Sequence, residues 1–149
     1  MTDKKSAPEM TGSEMFDRGM AIRRQVLGDA YVDKALAKSG PFNEPLQELV
    51  TTYCWGWNWG RDGLPLRDRS LINLAMIAIL NRSHELKIHI RGALNNGLSR
   101  EEIREVLLQV GIYGGIPAAV DSFRLANEAF AEIDAEKAAD DAGFAENGE

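Results

Sequence analysis

Sequence signals for the start and end of helices recur along this chain, and this pattern favours helices over strands. Two capping boxes, Thr11–Glu14 and Ser99–Glu102, each place a hydroxyl at the N-cap and a carboxylate three residues later. Apolar residues recur at helical spacing after such starts, and Gly28, Gly97 and Gly114 interrupt the pattern. No segment alternates polar and apolar residues between hairpin turns. We therefore predict an all-α fold of six to seven helices.

The length of 149 residues is that of one domain with short tails. We predict a flexible N-terminal lead over residues 1–10, a single helical domain over residues 11–134, and an acidic, disordered tail over residues 135–149. Inside the domain, helical propensity collapses over Cys54–Gly60. The Gly and Pro content of Arg61–Pro65 predicts a turn directly afterwards.

The charge balance argues against several classes of partner. Lys and Arg total 17, whereas Asp and Glu total 23, so the net charge is −6. Binding to nucleic-acid phosphates needs a basic surface, and we expect no nucleic-acid partner. No run approaches the roughly 20 apolar residues that span a bilayer, and the first eight residues are too polar for a secretory signal. We expect no membrane partner and a cytoplasmic location.

Cysteine and histidine are too few for metal or disulfide chemistry. Cys54 is the one cysteine, so the chain can form neither an internal disulfide nor a CxxC pair. The two histidines, His84 and His89, are five residues apart and do not share a helix face. We therefore predict no metal site.

Glu85 and His89 lie four residues apart on one predicted helix and are neighbours on its surface. A carboxylate beside an imidazole raises the pKa of the ring and orients it, which suits acid–base catalysis near neutral pH. The same spacing fits a surface ion pair at the border of a buried stripe. Both interpretations stay open at this point.

Three arginines, Arg61, Arg67 and Arg69, fall within nine residues around a Gly-Pro turn. Arginine is suited to bidentate binding of carboxylates. Arg69 and Asn73 are four residues apart on an otherwise apolar helix, and polar groups that are buried there need partners. Those partners are either other side chains, as in a structural ion pair, or a ligand.

All three tryptophans, Trp55, Trp57 and Trp59, lie within five residues. Rings of this size are rarely left in solvent, so they either pack a core edge or a subunit interface, or wall a pocket. Tyr113 precedes two glycines and the start of the last predicted helix. The backbone there can approach an anion closely, although a plain joint between helices fits as well.

Five blocks carry these residues in a characteristic order. They are Trp55-Gly-x-x-Trp59-x-Arg61-x-Gly-Leu-Pro65, Arg69-Ser-Leu, Glu85-Leu-x-x-His89-x-Arg91-x-Ala, Asn96-Gly97 and Tyr113-x-Gly-Ile-Pro-Ala118. Over Phe16–Ile133 the chain resembles the 4-carboxymuconolactone decarboxylase family. The resemblance implies an all-helical fold of the alkylhydroperoxidase D-like superfamily. It also implies a homo-oligomer, commonly a trimer or hexamer, and no cofactor.

Two departures from related patterns bear on the chemistry. The peroxidase branch of that superfamily carries a CxxC pair before its histidine, whereas this chain has Arg82 and Glu85 at those positions and His89 at the third. Disulfide-based peroxide chemistry is therefore excluded. The decarboxylases usually read Trp-Gly-Glu-x-Trp, and here Trp57 replaces the acidic residue.

The resemblance implies decarboxylation of a carboxymuconolactone-type unsaturated lactone in aromatic-compound catabolism. Loss of CO2 would leave a dienolate, so the substrate would serve as its own electron sink. One alternative is a cis–trans or double-bond isomerase of a related open-chain methyl-ester dienoate from lignin-derived ring cleavage, which a less acidic pocket at Trp57 would suit. A second alternative is a non-catalytic helical oligomer that binds a small acid or a protein.

The resemblance and the residue chemistry together assign roles. Arginines would bind carboxylates, His89 oriented by Glu85 would transfer protons with Tyr113 as a second candidate, and tryptophans would wall the pocket. The predicted catalytic residues are His89, Glu85 and Tyr113, and the predicted substrate-binding residues are Arg61, Arg69, Trp55, Trp59, Asn73 and Arg91.

Overall fold

The computed structural model describes residues 10–146, and these residues are mainly helical. The elements are α1 (Gly12–Leu27), α2 (Asp29–Ala37), α3 (Glu44–Leu49), a π-helical segment (Val50–Trp59), α4 (Leu66–Ile79), α5 (Ser83–Asn95), α6 (Arg100–Tyr113) and α7 (Ile116–Glu146). Within this described range there is no strand, which confirms the all-α prediction. None of the helices described here has the length and apolar character to cross a membrane.

The chain divides into two compact units, one ending at Gly63 and one beginning at Leu64. The first holds α1 to α3 and the π-helical segment, and the second holds α4 to α7. The single domain that the sequence predicts over residues 11–134 stays a prediction. Residues 1–9 of the predicted lead and residues 147–149 of the predicted tail lie outside the described residues.

Both predicted capping boxes are confirmed. In α1 the Glu14 backbone N–H donates to Thr11 Oγ1 at 3.2 Å, and the Thr11 backbone N–H donates to the Glu14 carboxylate at 2.8 Å. In α6 the Ser99 and Glu102 groups make the same reciprocal pair, at 3.1 and 2.9 Å. Each box gives partners to N–H groups that a helix start would otherwise leave unsatisfied.

The first unit departs from the sequence expectation in its π-helical segment. Its Trp- and Gly-rich second half predicted a loss of helical structure, yet the chain remains helical through Trp59. Packing against α1 explains this: Gly19 of α1 lies against the Thr51 carbonyl, and Gly56 lies against the Met15 carbonyl. Tertiary packing of this kind outweighs weak intrinsic propensity.

A buried arginine holds the same contact together. Arg23 of α1 is 5% exposed, and its guanidinium donates to Gln47 Oε1 at 2.9 Å and to Thr51 Oγ1 at 3.2 Å. Burial lowers the pKa of Arg23 because the charged form loses its hydration. The side chain thus links α1 to α3 and to the π-helical segment.

The second unit packs α4 to α7 around one apolar core. Its fully buried large side chains are Leu74, Leu86, Ile90, Ile103 and Leu107. Helix α4 is apolar over most of its length, yet it is only partly buried in the single chain. Its residues Ile72, Met76 and Ile79 are about half exposed, because α5, α6 and α7 cover only part of the helix.

Helix α7 extends beyond residue 134, where the sequence predicted the folded domain to end. Acidic residues at and after this point pair with basic residues of the preceding helices: Arg100 with Asp134, and Arg91 with Glu136. Exposed pairs of this kind contribute about 0–1 kcal/mol each. The helix therefore continues over residues whose composition alone predicted a disordered tail.

Substitution of Gly19 or Gly56 by Ala is expected to destabilise the first unit by about 3 kcal/mol, because the added methyl group would overlap a backbone carbonyl. Gly12→Ala is the matched control, since a methyl group on Gly12 meets nothing within 4 Å. Chemical unfolding followed by circular dichroism measures the free energies. Equal stability of the Gly19→Ala and Gly12→Ala variants would contradict the close helix contact.

Candidate active site

His89 lies on α5 where this helix packs against α4. Its neighbours Leu86 and Ile90 form the buried stripe of α5, which places the ring at the edge of the core. Across the helix contact, Asn73 Nδ2 of α4 is 3.0 Å from His89 Nδ1. The structure therefore brings together one predicted catalytic residue and one predicted substrate-binding residue, through a direct hydrogen bond between them.

The direction of the His89 pKa differs from the sequence expectation. The sequence predicted a raised pKa because of Glu85, and the Glu85 charge does act in that direction. Burial is the larger cause and lowers the pKa of His89 to about 4. His89 is thus a neutral imidazole at pH 7, and exposed Glu85 weakens the effect of burial without reversing it.

Arg69 lies one helical turn before Asn73 on α4 and is partly buried. Residues four apart lie on the same helix face, so the guanidinium and the amide share the side of α4 that carries the contact with His89. Two residues earlier, Arg67 forms ion pairs with Glu102 and Asp68. Of the arginines predicted to bind substrate, Arg69 therefore shares its face of α4 with Asn73.

A second polar contact joins the same two helices farther along. Asn96 Nδ2, at the end of α5, donates to Ser70 Oγ of α4 at 2.9 Å. Two amide side chains thus fix α5 against α4, and only the Asn73 amide touches the imidazole. Apart from Asn73 being a polar residue on an apolar helix, no sequence pattern indicated the Asn73–His89 contact.

Two predicted site residues of the second unit lie elsewhere. Arg91 of α5 makes a bidentate contact with Glu136 of α7, at 2.6 and 2.9 Å. Tyr113, at the end of α6, is 83% exposed and borders an apolar groove of about 410 Å³ between α6 and α4. The groove is lined by α4 residues on a different helix face from Asn73.

The predicted aromatic residues belong to the first unit. Trp55 and Trp59 are only 3% and 5% exposed, and their ring centroids are 4.9 Å apart. Trp57, which replaces the acidic residue usual in the family, is half exposed, and the Arg61 guanidinium lies 5.0 Å from its ring centroid. This is a cation–π contact. The predicted substrate-binding roles of Trp55, Trp59 and Arg61 stay predictions.

Metal-ligating side chains are not clustered in the part of the chain that the structure describes. Over residues 10–142, no group of three or more His, Cys, Asp or Glu side chains is placed to hold a metal ion.

Comparison with known proteins identifies the family. A sequence model described as the carboxymuconolactone decarboxylase family matches residues 44–128. The 4-carboxymuconolactone decarboxylase of Acinetobacter baylyi is 33% identical over 124 residues, which cover 83% of this chain and 92% of that protein. The nitrosuccinic acid decarboxylase npaB of Metarhizium robertsii is 43% identical over 108 residues, which cover 72% of this chain and 76% of that protein. A 4-carboxymuconolactone decarboxylase sequence from Pseudomonas putida is 45% identical over 47 residues, which cover 32% of this chain and 98% of that sequence.

The chain belongs to the carboxymuconolactone decarboxylase family, which confirms the resemblance seen in the sequence. The matched range begins at α3 and includes Arg69, Asn73 and His89. Its named relatives act on different acids and share the reaction class of decarboxylation. The protein is accordingly an enzyme of the carboxy-lyase class.

The pKa of His89 predicts an acid-dependent loss of stability. An unfolded histidine titrates near pH 6.5 and the folded one near pH 4, so between these values the unfolded state binds a proton that the folded state does not. Stability therefore rises with pH across this window, and His89 alone lowers the unfolding free energy by about 2 kcal/mol from pH 7 to pH 5.

Urea unfolding of wild type, His89→Gln and His84→Gln at these two pH values measures this contribution. The His89→Gln variant should lose it, whereas His84→Gln, which removes the exposed histidine at the start of α5, should keep the wild-type dependence. Parallel pH dependences of wild type and His89→Gln would show that the ring is not buried as a neutral group.

Proposed function

We propose that this protein removes CO2 from a small dicarboxylate whose departing carboxylate sits on a carbon joined to an electron sink. We further propose that neither a metal nor an organic cofactor takes part. The observation that best supports the proposal is the pair of named relatives, because their two acids differ in structure and need the same chemistry.

The two acids share more than a carboxylate. In 4-carboxymuconolactone the departing group is on the γ-carbon of an unsaturated lactone, and the electron pair left behind is delocalised into the lactone carbonyl. In nitrosuccinate the departing group is on the carbon that bears the nitro group, and the pair is delocalised onto nitro oxygens. In both, the same carbon also carries a carboxymethyl group that is retained. A dicarboxylate of this type is the proposed substrate class.

The second unit supplies groups that fit these requirements. The Arg69 guanidinium suits the retained carboxylate, because its planar N–H groups match carboxylate geometry. The Asn73–His89 pair lies on the same side of α4 and adds a polar group for charge that develops on the sink. Partial burial strengthens both interactions, since the local dielectric constant is lower than that of water.

An assembly of identical copies is part of the proposal. The exposed apolar residues of the second unit include Ile72, Met76 and Ile79 on α4, Ile112 on α6 and Ile116 on α7. Contiguous exposed apolar surface is a mark of protein association. A trimer or hexamer, as the family resemblance implies, would cover such residues.

Purified protein treated with EDTA should release CO2 from 4-carboxymuconolactone, from 2-nitrosuccinate, or from both. We expect a rate at least about 10⁶-fold above the uncatalysed reaction, because enzymes generally reach this range. Product proton NMR alongside the CO2 measurement identifies the acid that is consumed. Succinate is the matched control, since it keeps two carboxylates and lacks the electron sink.

Three results would contradict the proposal: no CO2 from either acid, loss of activity with EDTA, or equal CO2 release from succinate. Movement of a double bond in an open-chain methyl-ester dienoate without CO2 release would assign the protein to the isomerases instead. Binding of an acid with no turnover would favour a non-catalytic protein.

A further inference from the structure

We infer that His89 acts as a neutral hydrogen-bond donor to the electron-accepting oxygen of the substrate, and that Asn73 is the positioning residue that keeps the ring proton on Nε2. This inference rests on the proposed function. It replaces the proton-transfer role that the sequence predicted for His89 and the substrate-binding role predicted for Asn73.

The geometry of the pair supports this assignment. The Asn73 amide nitrogen, which carries two N–H donors, is 3.0 Å from His89 Nδ1. When the amide donates, Nδ1 is the acceptor and the neutral ring must carry its proton on Nε2. An imidazolium would carry a second N–H at Nδ1, directed at a donor group. The Asn73 amide therefore favours the neutral ring as well as one tautomer of it.

The surroundings of the ring act in the same direction. Burial at the α4–α5 contact disfavours the charged form of His89 and lowers its pKa to about 4. The opposing charge of Glu85, one turn earlier on α5, is too weak to reverse this. A neutral imidazole can polarise a carbonyl through its N–H, and that use needs the ring to stay neutral.

The reaction balances without a proton from His89. The C–C bond to the departing carboxylate breaks, CO2 leaves, and the electron pair moves into the lactone carbonyl or the nitro group. Negative charge builds on the sink oxygen, where the Nε2–H donates a hydrogen bond and keeps its proton. The resulting anion then takes a proton from water at carbon. A single donor of this kind is worth about 10²–10³ in kcat.

Nitrogen-15 NMR of the histidine rings tests the tautomer directly. In wild type at pH 7, we expect His89 Nδ1 to resonate as an unprotonated ring nitrogen and Nε2 as a protonated one. The His84→Gln variant assigns the signals by removing the other histidine. A protonated Nδ1, whether in the other neutral tautomer or in an imidazolium, would overturn the inference.

Variants of Asn73 test the positioning role. In Asn73→Asp the carboxylate accepts from Nδ1–H, so the ring proton should move to Nδ1 in the NMR spectrum. In Asn73→Leu, which removes the amide without adding charge, kcat should fall about 10-fold or more while KM stays within about 3-fold. Unchanged ring signals in Asn73→Asp, or wild-type kcat in Asn73→Leu, would overturn the role.

Asn96→Ala is the matched control, because the Asn96 amide also links α5 to α4 but donates to Ser70 and to the Leu66 carbonyl. It should keep the wild-type tautomer and kcat. An equal loss of kcat in Asn96→Ala would assign the Asn73 effect to helix packing and overturn the positioning role.

The NMR spectra and the CO2 assay distinguish a failure of the proposed function from a failure of the inference about His89. If wild type releases CO2 from neither acid, the proposed function fails, and the inference that depends on it fails with it, whatever the ring signals show. If wild type is an active decarboxylase with a protonated Nδ1, only the inference fails. Should Asn73→Leu not fold, the wild-type and Asn73→Asp spectra still decide the tautomer.

Discussion

A hydrogen bond between two partly buried side chains joins α4 to α5 and, under the proposed function, sets the chemistry of the second unit. Polar groups removed from water need a partner, and Asn73 finds one in His89 across the helix contact. In the arrangement that we infer, this bond makes Nδ1 the acceptor, and burial, which lowers the pKa of His89, favours the neutral ring. The surrounding apolar core, with Leu74 of α4 and Leu86 and Ile90 of α5, holds both helices in place.

This arrangement suits a family whose members act on unlike acids. The named relatives use a lactone and a nitro compound, so their electron sinks share little beyond an oxygen that gains charge. A neutral N–H donor recognises such an oxygen without requiring a particular ring or functional group. Under the proposed function, the Arg69 guanidinium would recognise the carboxylate that is retained. Under the proposed function, binding and charge stabilisation are thus separate tasks for separate residues.

Much of the local structure followed from sequence because its causes are local. The Thr11 and Ser99 capping boxes depend on residues three apart, and the helix patterns depend on spacing along the chain. Other features depend on contacts between distant residues. The Asn73–His89 bond joins residues 16 apart, and the effect of burial on the His89 pKa depends on packing that spacing does not reveal. For the same reason the pairing of Arg91 with Glu136 and the helical continuation past residue 134 could not be predicted.

The central claim is that Arg69 binds the retained carboxylate while His89 stabilises the developing charge. Steady-state kinetics of variants at these two residues, measured on whichever acid is turned over, test it most directly. His89→Ala should lower kcat about 10²-fold or more with KM within about 3-fold, because its donor acts on charge that develops in the transition state. Arg69→Lys should raise KM about 10-fold, and Arg67→Lys, whose parent pairs with Glu102, should behave as wild type. A loss confined to KM in His89→Ala, or a loss confined to kcat in Arg69→Lys, would contradict the account.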